Sequence, residues 1–255
     1  MTPNTEFFPQ IVIYPESDGL PMAESDQTRN YLVYATKVLA HFFRNRQDVY
    51  TSGNLFIYYE QGNPESVVAP DVFVVFGVED RLRRTYKVWE EGDRTPSFVL
   101  EITSRTTLTK DQGAKKGIYA LLGVEEYYQY DPTEDYLRPP LQGLRLVDDS
   151  YVSVPARSLA DGTIVLPSAT LGLELHLRQG MMRFYDPVTQ RHLLTYEEEI
   201  AARQIAEERA QTAEERAQTA EERAQTAEER AQTAEERAER LAARLRELNI
   251  DPDAV

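Results

Sequence analysis

"VAPDVFVVFG" occupies residues 68–77, and its reading decides the fold. Five apolar residues, Val72 to Phe76, follow a single carboxylate at Asp71. A β-branched and aromatic run without polar alternation predicts a strand covered on both faces. An unpaired carboxylate at the mouth of such a strand costs several kcal/mol, so the fold must supply a compensating partner.

Working outward, "NLFIYYE" (54–60) reads as an earlier strand and "SFVLEI" (97–102) as a later one. "TKDQGAKKGIYALLG" (109–123) reads as a helix that stops at Gly123, and "VEEYYQYDP" (124–132) as a strand ended by Asp131-Pro132. A strand, a helix and a second strand in succession predict that 124–132 runs parallel to 97–102 across the helix. Upstream, Leu32, Ala35, Leu39, Phe42 and Phe43 recur at helical spacing, with Asp26 as the expected N-cap. Short apolar pieces between 140 and 195 predict a β-rich extension. The expected class is an α/β or α+β core.

The character changes near Tyr196. "AEERAQT" begins at Ala206, Ala213, Ala220 and Ala227, with the variant "AEERAER" from Ala234. Its alanines alternate by four and three and fall on one helical face. Good helix formers without Gly or Pro predict one helix of about fifty residues, about 75 Å long. Two readings stay open: an alanine-seam coiled coil that joins a homodimer, or a charged single helix acting as a spacer. Each repeat carries two Glu and one Arg, from which parallel copies are expected to repel mildly. The expected organisation is a domain over 1–195, a heptad-repeat helix over 196–250 and a tail over 251–255.

Bulk properties narrow the function classes. The chain has 255 residues, a formal net charge of −15, 41% hydrophobic residues and no cysteine. That content supports a core, and the lack of thiols excludes disulfides and thiolate metal sites. Neither a signal peptide nor an apolar run of about 18 residues is present, so a cytoplasmic protein without membrane contact is expected. The acidity counts against a protein that coats nucleic acid through clustered cations. It leaves room for an enzyme that touches a few phosphates and uses a metal ion to screen the rest.

Three residues suggest chemistry. Asp71 opens one buried strand and Glu101 lies near the end of another. Two carboxylates on adjacent strands repel, and Mg²⁺, an oxygen-seeking ion that keeps several waters, relieves that repulsion. Lys115 shares a helical face with Asp111 and Tyr119. Metal plus lysine offsets the repulsion between an anionic nucleophile and a phosphodiester backbone. Each residue also has a plainer reading: Asp71 as a turn cap, Glu101 as a strand-end surface residue, Lys115 and Lys116 as a solvated face, Tyr119 as core.

"APDVFVVFG", "PSFVLEITS" and "KDQGAKKGIYALLGVEEYYQYDP", with "YPESDGLPMAES" and "SGNLFIYY", resemble the Uma-two family of restriction-endonuclease-like proteins. That family is placed in the PD-(D/E)xK nuclease superfamily, and the likeness covers roughly residues 10–195. It implies an α/β fold, a mixed sheet flanked by helices, with Pro70-Asp71 as the "PD", Glu101 as the second acid, and the Ile102 carbonyl as a further ligand to Mg²⁺ or Mn²⁺. It also implies an endonuclease acting on nucleic acid, DNA ahead of RNA, working as a dimer. The pattern departs at Thr103, which stands where the superfamily has lysine; the resemblance implies that Lys115 on the following helix replaces it. Ser104-Arg105 replaces the family's Ser-Pro, and Asn54 stands where an Asp is expected.

The basic stretch "EDRLRRTYKVW" (79–89) joins the two carboxylate strands. Arg81, Arg83, Arg84 and Lys87 are candidates for phosphate contacts, Tyr86 and Trp89 for base stacking, on a loop expected to be mobile. Alternatively it is a solvated basic loop. His41, His176 and His192 are scattered, with no nucleophile motif beside them. A competing class is a nuclease fold that no longer cuts and serves as a scaffold through its long helix.

Overall fold

The structure, a computed structural model, describes residues 12–17, 25–103 and 111–247. The readings made at 18–24, at Ser104-Arg105 and over 248–255 lie outside the described residues. The chain divides into two compact units, Met1–Tyr196 and Glu197–Val255.

Unit one is mixed α/β. It opens with helix α1 (Asp26–Phe42). Asp26 is not its cap. Ser25 is, because it has extended dihedrals and its Oγ accepts the Thr28 N–H at 3.2 Å. Asp26 instead begins the helix and pairs with Arg29 at 2.7 Å.

A six-stranded sheet forms the centre, in the order β1 (Val49–Ser52), β4 (Val72–Phe76), β6 (Phe98–Ile102), β7 (Glu126–Tyr130), β8 (Leu141–Val147), β9 (Ser150–Ser153). β6 and β7 are parallel, as the strand–helix–strand order predicts, and every other pair is antiparallel. The apolar run at 72–76 is the second strand of this sheet, and both faces of it are covered. On one face, Val72, Val74, Phe98, Leu100 and Tyr128 pack with α1 and with a second sheet. On the other, Phe73, Val75, Val99 and Tyr127 pack with Tyr119 and Val124.

The β-rich region after residue 140 splits. β8 and β9 extend the central sheet, and only β10 (Arg157–Ser158), β11 (Ile164–Ser168), β12 (Leu173–Arg178), β13 (Met181–Asp186) and β14 (Arg191–His192) form a separate five-stranded sheet. The strand expected over 54–60 shrinks to β2 (Ile57–Tyr58), flanked by β3 (Val67–Val68) and β5 (Tyr86–Lys87). Asn54 cannot continue a strand because it sits in the left-handed region, φ 49°, where Asn is tolerated. Its N–H donates to the Pro70 carbonyl at 2.9 Å.

Residues 109–110 of the helix expected over 109–123 lie outside the described residues, and the rest is helical in two parts. A π-type turn at Asp111–Lys115 leads into α2 (Lys116–Leu121). α2 stops at Gly123 as expected: φ is 70° there, and the N–H groups of Gly123 and Val124 return to the carbonyls of Ala120 and Tyr119. Unit two is carried by α3 (Tyr196–Glu247), 52 residues with none buried. No helix among the described residues is long and apolar enough to cross a membrane.

Candidate active site

Strand alternation puts Asp71, Phe73 and Val75 on the face of the central sheet that also carries Val99 and Glu101. The two carboxylates lie near enough on this face for the Glu101 charge to act on Asp71. Asp71 Oδ2 also accepts the Ile102 N–H at 2.7 Å. Glu101 is fully buried. Its Oε2 takes the Lys115 ammonium at 2.8 Å and its Oε1 accepts the Tyr119 hydroxyl. The expected meeting of Asp71, Glu101 and Lys115 therefore occurs, and the covering turn and helix deliver both Lys115 and Tyr119.

The electrostatics follow from that crowding. Burial, then the Glu101 charge, pushes the Asp71 carboxyl well above the usual carboxylate range; Lys115 and the Ile102 N–H oppose the shift. Burial and the Glu101 charge raise the Tyr119 hydroxyl likewise, so it remains a donor. A divalent cation would offset the repulsion from Glu101 that helps raise Asp71.

Two further features bear on whether an ion fits. The Thr103 hydroxyl and the Gln129 side-chain nitrogen are buried without a hydrogen-bond partner among the described residues. Both lie on the face of Glu101: Thr103 two residues on, Gln129 directly opposite in the β6–β7 register. A buried polar group of this kind is normally satisfied by a protein group, water or a ligand. Among the described residues no set of three or more His or carboxylate side chains gathers. Two carboxylates and a backbone carbonyl, completed by water, remain a fitting donor set for Mg²⁺ or Mn²⁺.

Sequence reasoning underrated Tyr119, which is both core and partner to Glu101, and did not single out Gln129 or Gly53. The parallel register exposes Gln129, given the pairing of 97–102 with 124–132. Gly53 has no sequence signal. A Cβ there would stand 2.2 Å from the Asp71 carbonyl oxygen, so the chain passes too close to the site for a side chain.

The basic stretch is a correction. It contains β5 and a 3-10 turn at Val88–Glu90. Tyr86 is fully buried, and the Arg83 side chain, 2% exposed, forks onto Glu91 at 2.8 and 2.9 Å and lies over the Tyr50 ring. Arg81 joins the same carboxylate at 2.6 Å, Arg84 pairs with Glu16, and Lys87 with Glu90. Arg83 and Tyr86 are thus taken into the fold: releasing Arg83 would forfeit its fork onto the nearly buried Glu91, and Tyr86 is fully buried with its hydroxyl on the Arg94 carbonyl. The Arg83 hydrogen bonds hold the Glu91 carboxyl below its usual range. That lowered value contributes stability above about pH 4.3, lost as pH falls through the folded value. Arg83→Met is expected to cost about 3 kcal/mol, the lower end for a broken buried pair because Arg81 remains. It should also flatten the acid limb of stability, read by urea unfolding at a series of pH values.

His176 and His192 are not scattered in space. On the five-stranded sheet their ring nitrogens lie 3.3 Å apart, and His176 Nε2 contacts Glu174 at 2.9 Å. They line a hollow of about 580 Å³ with Arg157 and Arg178, on a different sheet from Asp71 and Glu101.

A mixed sheet with two neighbouring carboxylates and an amine on one face is the arrangement on which comparison with known proteins bears. A family model described as "Uma2: Putative restriction endonuclease" matches residues 19–178, more than half of the chain. The protein belongs to that family. One similar solved structure is described as "a putative nuclease belonging to DUF820 from Anabaena variabilis ATCC 29413"; it is 13% identical, with a TM-score of 0.39, over 59% of this chain and 76% of that one. No curated protein matches the chain.

Proposed function

We propose that this protein is a metal-dependent endonuclease of the PD-(D/E)xK type that hydrolyses phosphodiester bonds in the cytoplasm, with DNA ahead of RNA as substrate. The observation that carries the reading is the convergence of Asp71, Glu101 and Lys115 on one sheet face. Membership of a family described as restriction endonucleases supports it.

Asp71 and Glu101, with the Ile102 carbonyl, are the residues that would hold Mg²⁺ or Mn²⁺. Such an ion supplies Lewis acidity toward a phosphoryl oxygen and a more acidic bound water. Lys115 brings the positive charge that the superfamily carries at the position of Thr103. Its ammonium, held against Glu101, would stabilise charge growing on a phosphate oxygen and orient the attacking water. Tyr119 fixes the Glu101 carboxylate from the core side, so that carboxylate meets its ligands without reorganising.

Purified protein should nick and linearise plasmid DNA in Mg²⁺ or Mn²⁺, cut single-stranded RNA more slowly, and stop on chelation by EDTA. Absence of cutting on DNA and RNA in both metals would overturn the reading. The second reading, an inactive scaffold acting through α3, draws on Thr103 at the lysine position and on a helix with no buried residue. Calorimetry separates the two, because a scaffold has no need to bind Mn²⁺ at Asp71 and Glu101.

A further inference from the structure

The 4,3 spacing of the alanines admits a single heptad frame. An interval of four runs from d to a, so Ala206 is d and Ala210 is a, and the frame holds through Ala234 and Ala238. Leu241, Leu245 and Leu248 then fall at d, a and d, so larger anchors continue the same seam. Leu241 is 56% exposed in the single chain.

The charges fall in the same frame. Within each repeat one glutamate takes e, the second takes f and the arginine takes g. Stability of a lone charged helix comes from opposite charges three or four residues apart. The repeat offers none: Arg209 is one and two residues from the glutamates before it, and five and six from those after it. Ion pairs along α3 include Arg203–Glu207, Arg240–Glu236 and Arg244–Glu247, at the margins of the repeat block. The threonines, at c, return their hydroxyls to their own helix, as Thr212 does to the Glu208 carbonyl at 2.9 Å.

Five residues is the interval at which a g side chain meets the e side chain of a parallel, in-register partner. Arg209 would face Glu214 of a second copy, and the pattern repeats at Arg216–Glu221, Arg223–Glu228 and Arg230–Glu235. An antiparallel partner would set arginine against arginine and glutamate against glutamate. The second glutamate of each repeat, at f, points away from any partner, so the mild repulsion expected from composition falls on the outer face, where solvent screens it.

We propose that α3 pairs with α3 of a second copy of this chain as a parallel, in-register coiled coil. The occupant is fixed by charge complementarity along the seam: the same repeat supplies both members of every interchain pair. The inference does not rest on the nuclease reading. Where that reading also holds, parallel pairing brings two copies of unit one to the same end of the stalk, as cutting both strands of a duplex requires.

The full chain should sediment as a dimer at low micromolar concentration. It lacks cysteine, so Ala213→Cys introduces one thiol at a d position, which should cross-link to its own copy under mild oxidation. Reversing the g positions (Arg209→Glu, Arg216→Glu, Arg223→Glu, Arg230→Glu) should weaken association by about a hundredfold. Mixing that variant with one carrying Glu→Arg at the matching e positions, 214, 221, 228 and 235, should restore pairing as a heterodimer. A monomeric wild type, absent self-cross-linking in a dimer, or charge reversal without effect on association would each overturn the proposal.

Discussion

Asp71→Asn is expected to abolish metal-dependent cleavage while making the metal-free protein more stable. The activity loss should be about a thousandfold or more, because several kcal/mol of transition-state stabilisation depend on the ion and each 1.36 kcal/mol is tenfold. The stability gain comes from the same carboxylate. In the metal-free fold Asp71 is buried beside the Glu101 charge, and the Lys115 ammonium is held on Glu101. Asparagine keeps an acceptor for the Ile102 N–H and offers Glu101 a donor in place of a like charge. Thermal unfolding checks both halves. Mn²⁺ should raise the Tm of the wild type, since a ligand that binds only the folded state stabilises it, and should leave Asp71→Asn unmoved. A variant that loses cutting and also loses stability would mean that Asp71 is a structural cap. One that keeps cutting would remove it from the metal site.

How much of this was legible beforehand depends on the range of the interaction involved. The buried strand at 72–76, the parallel pairing of 97–102 with 124–132 and the stop at Gly123 follow from local pattern, and the structure contains all three. So does the meeting of Asp71, Glu101 and Lys115, because the first two lie on neighbouring strands and the third on the turn that follows. What failed was read too locally. Arg83 and Tyr86 looked like a free basic loop, but Glu91, eight residues beyond Arg83, draws the guanidinium inward, and Tyr50 from β1 covers it. His176 and His192 looked unrelated until the order β12–β13–β14 placed them two strands apart. Asp26 lost the cap to Ser25 because the choice rests on backbone dihedrals one residue away. In the tail, composition pointed to repulsion, whereas the positions of the same charges in the heptad point to attraction.

Gly53→Ala should damage site and fold together. Its missing side chain is the space through which the chain passes Asp71: a Cβ would meet the Asp71 carbonyl oxygen at 2.2 Å and Thr36 Oγ1 at 2.9 Å. The first contact is with backbone and cannot be relieved by a rotamer change, so the 53–54 segment or the start of β4 must move. Asn54 hydrogen-bonds Pro70, which ties those two segments and transmits the displacement to Asp71. Overpacking of this kind costs about 1–3 kcal/mol. A shift of about 1 Å in a catalytic group costs about a hundredfold in rate. The expected result is therefore a lower Tm, a smaller Mn²⁺-dependent rise in Tm, and cleavage reduced by about a hundredfold in the fraction that folds. Gly117→Ala is the control. It lies in α2, two residues from Lys115, with nothing within 4 Å of the added Cβ. Helix propensity alone should make it more stable by up to about 1 kcal/mol, with cleavage unchanged. Should Gly53→Ala retain full metal response and cutting, the close passage of 53–54 beside Asp71 would not be what sets that carboxylate in place. Loss of metal response at Gly53 but not at Gly117 would assign the effect to that passage.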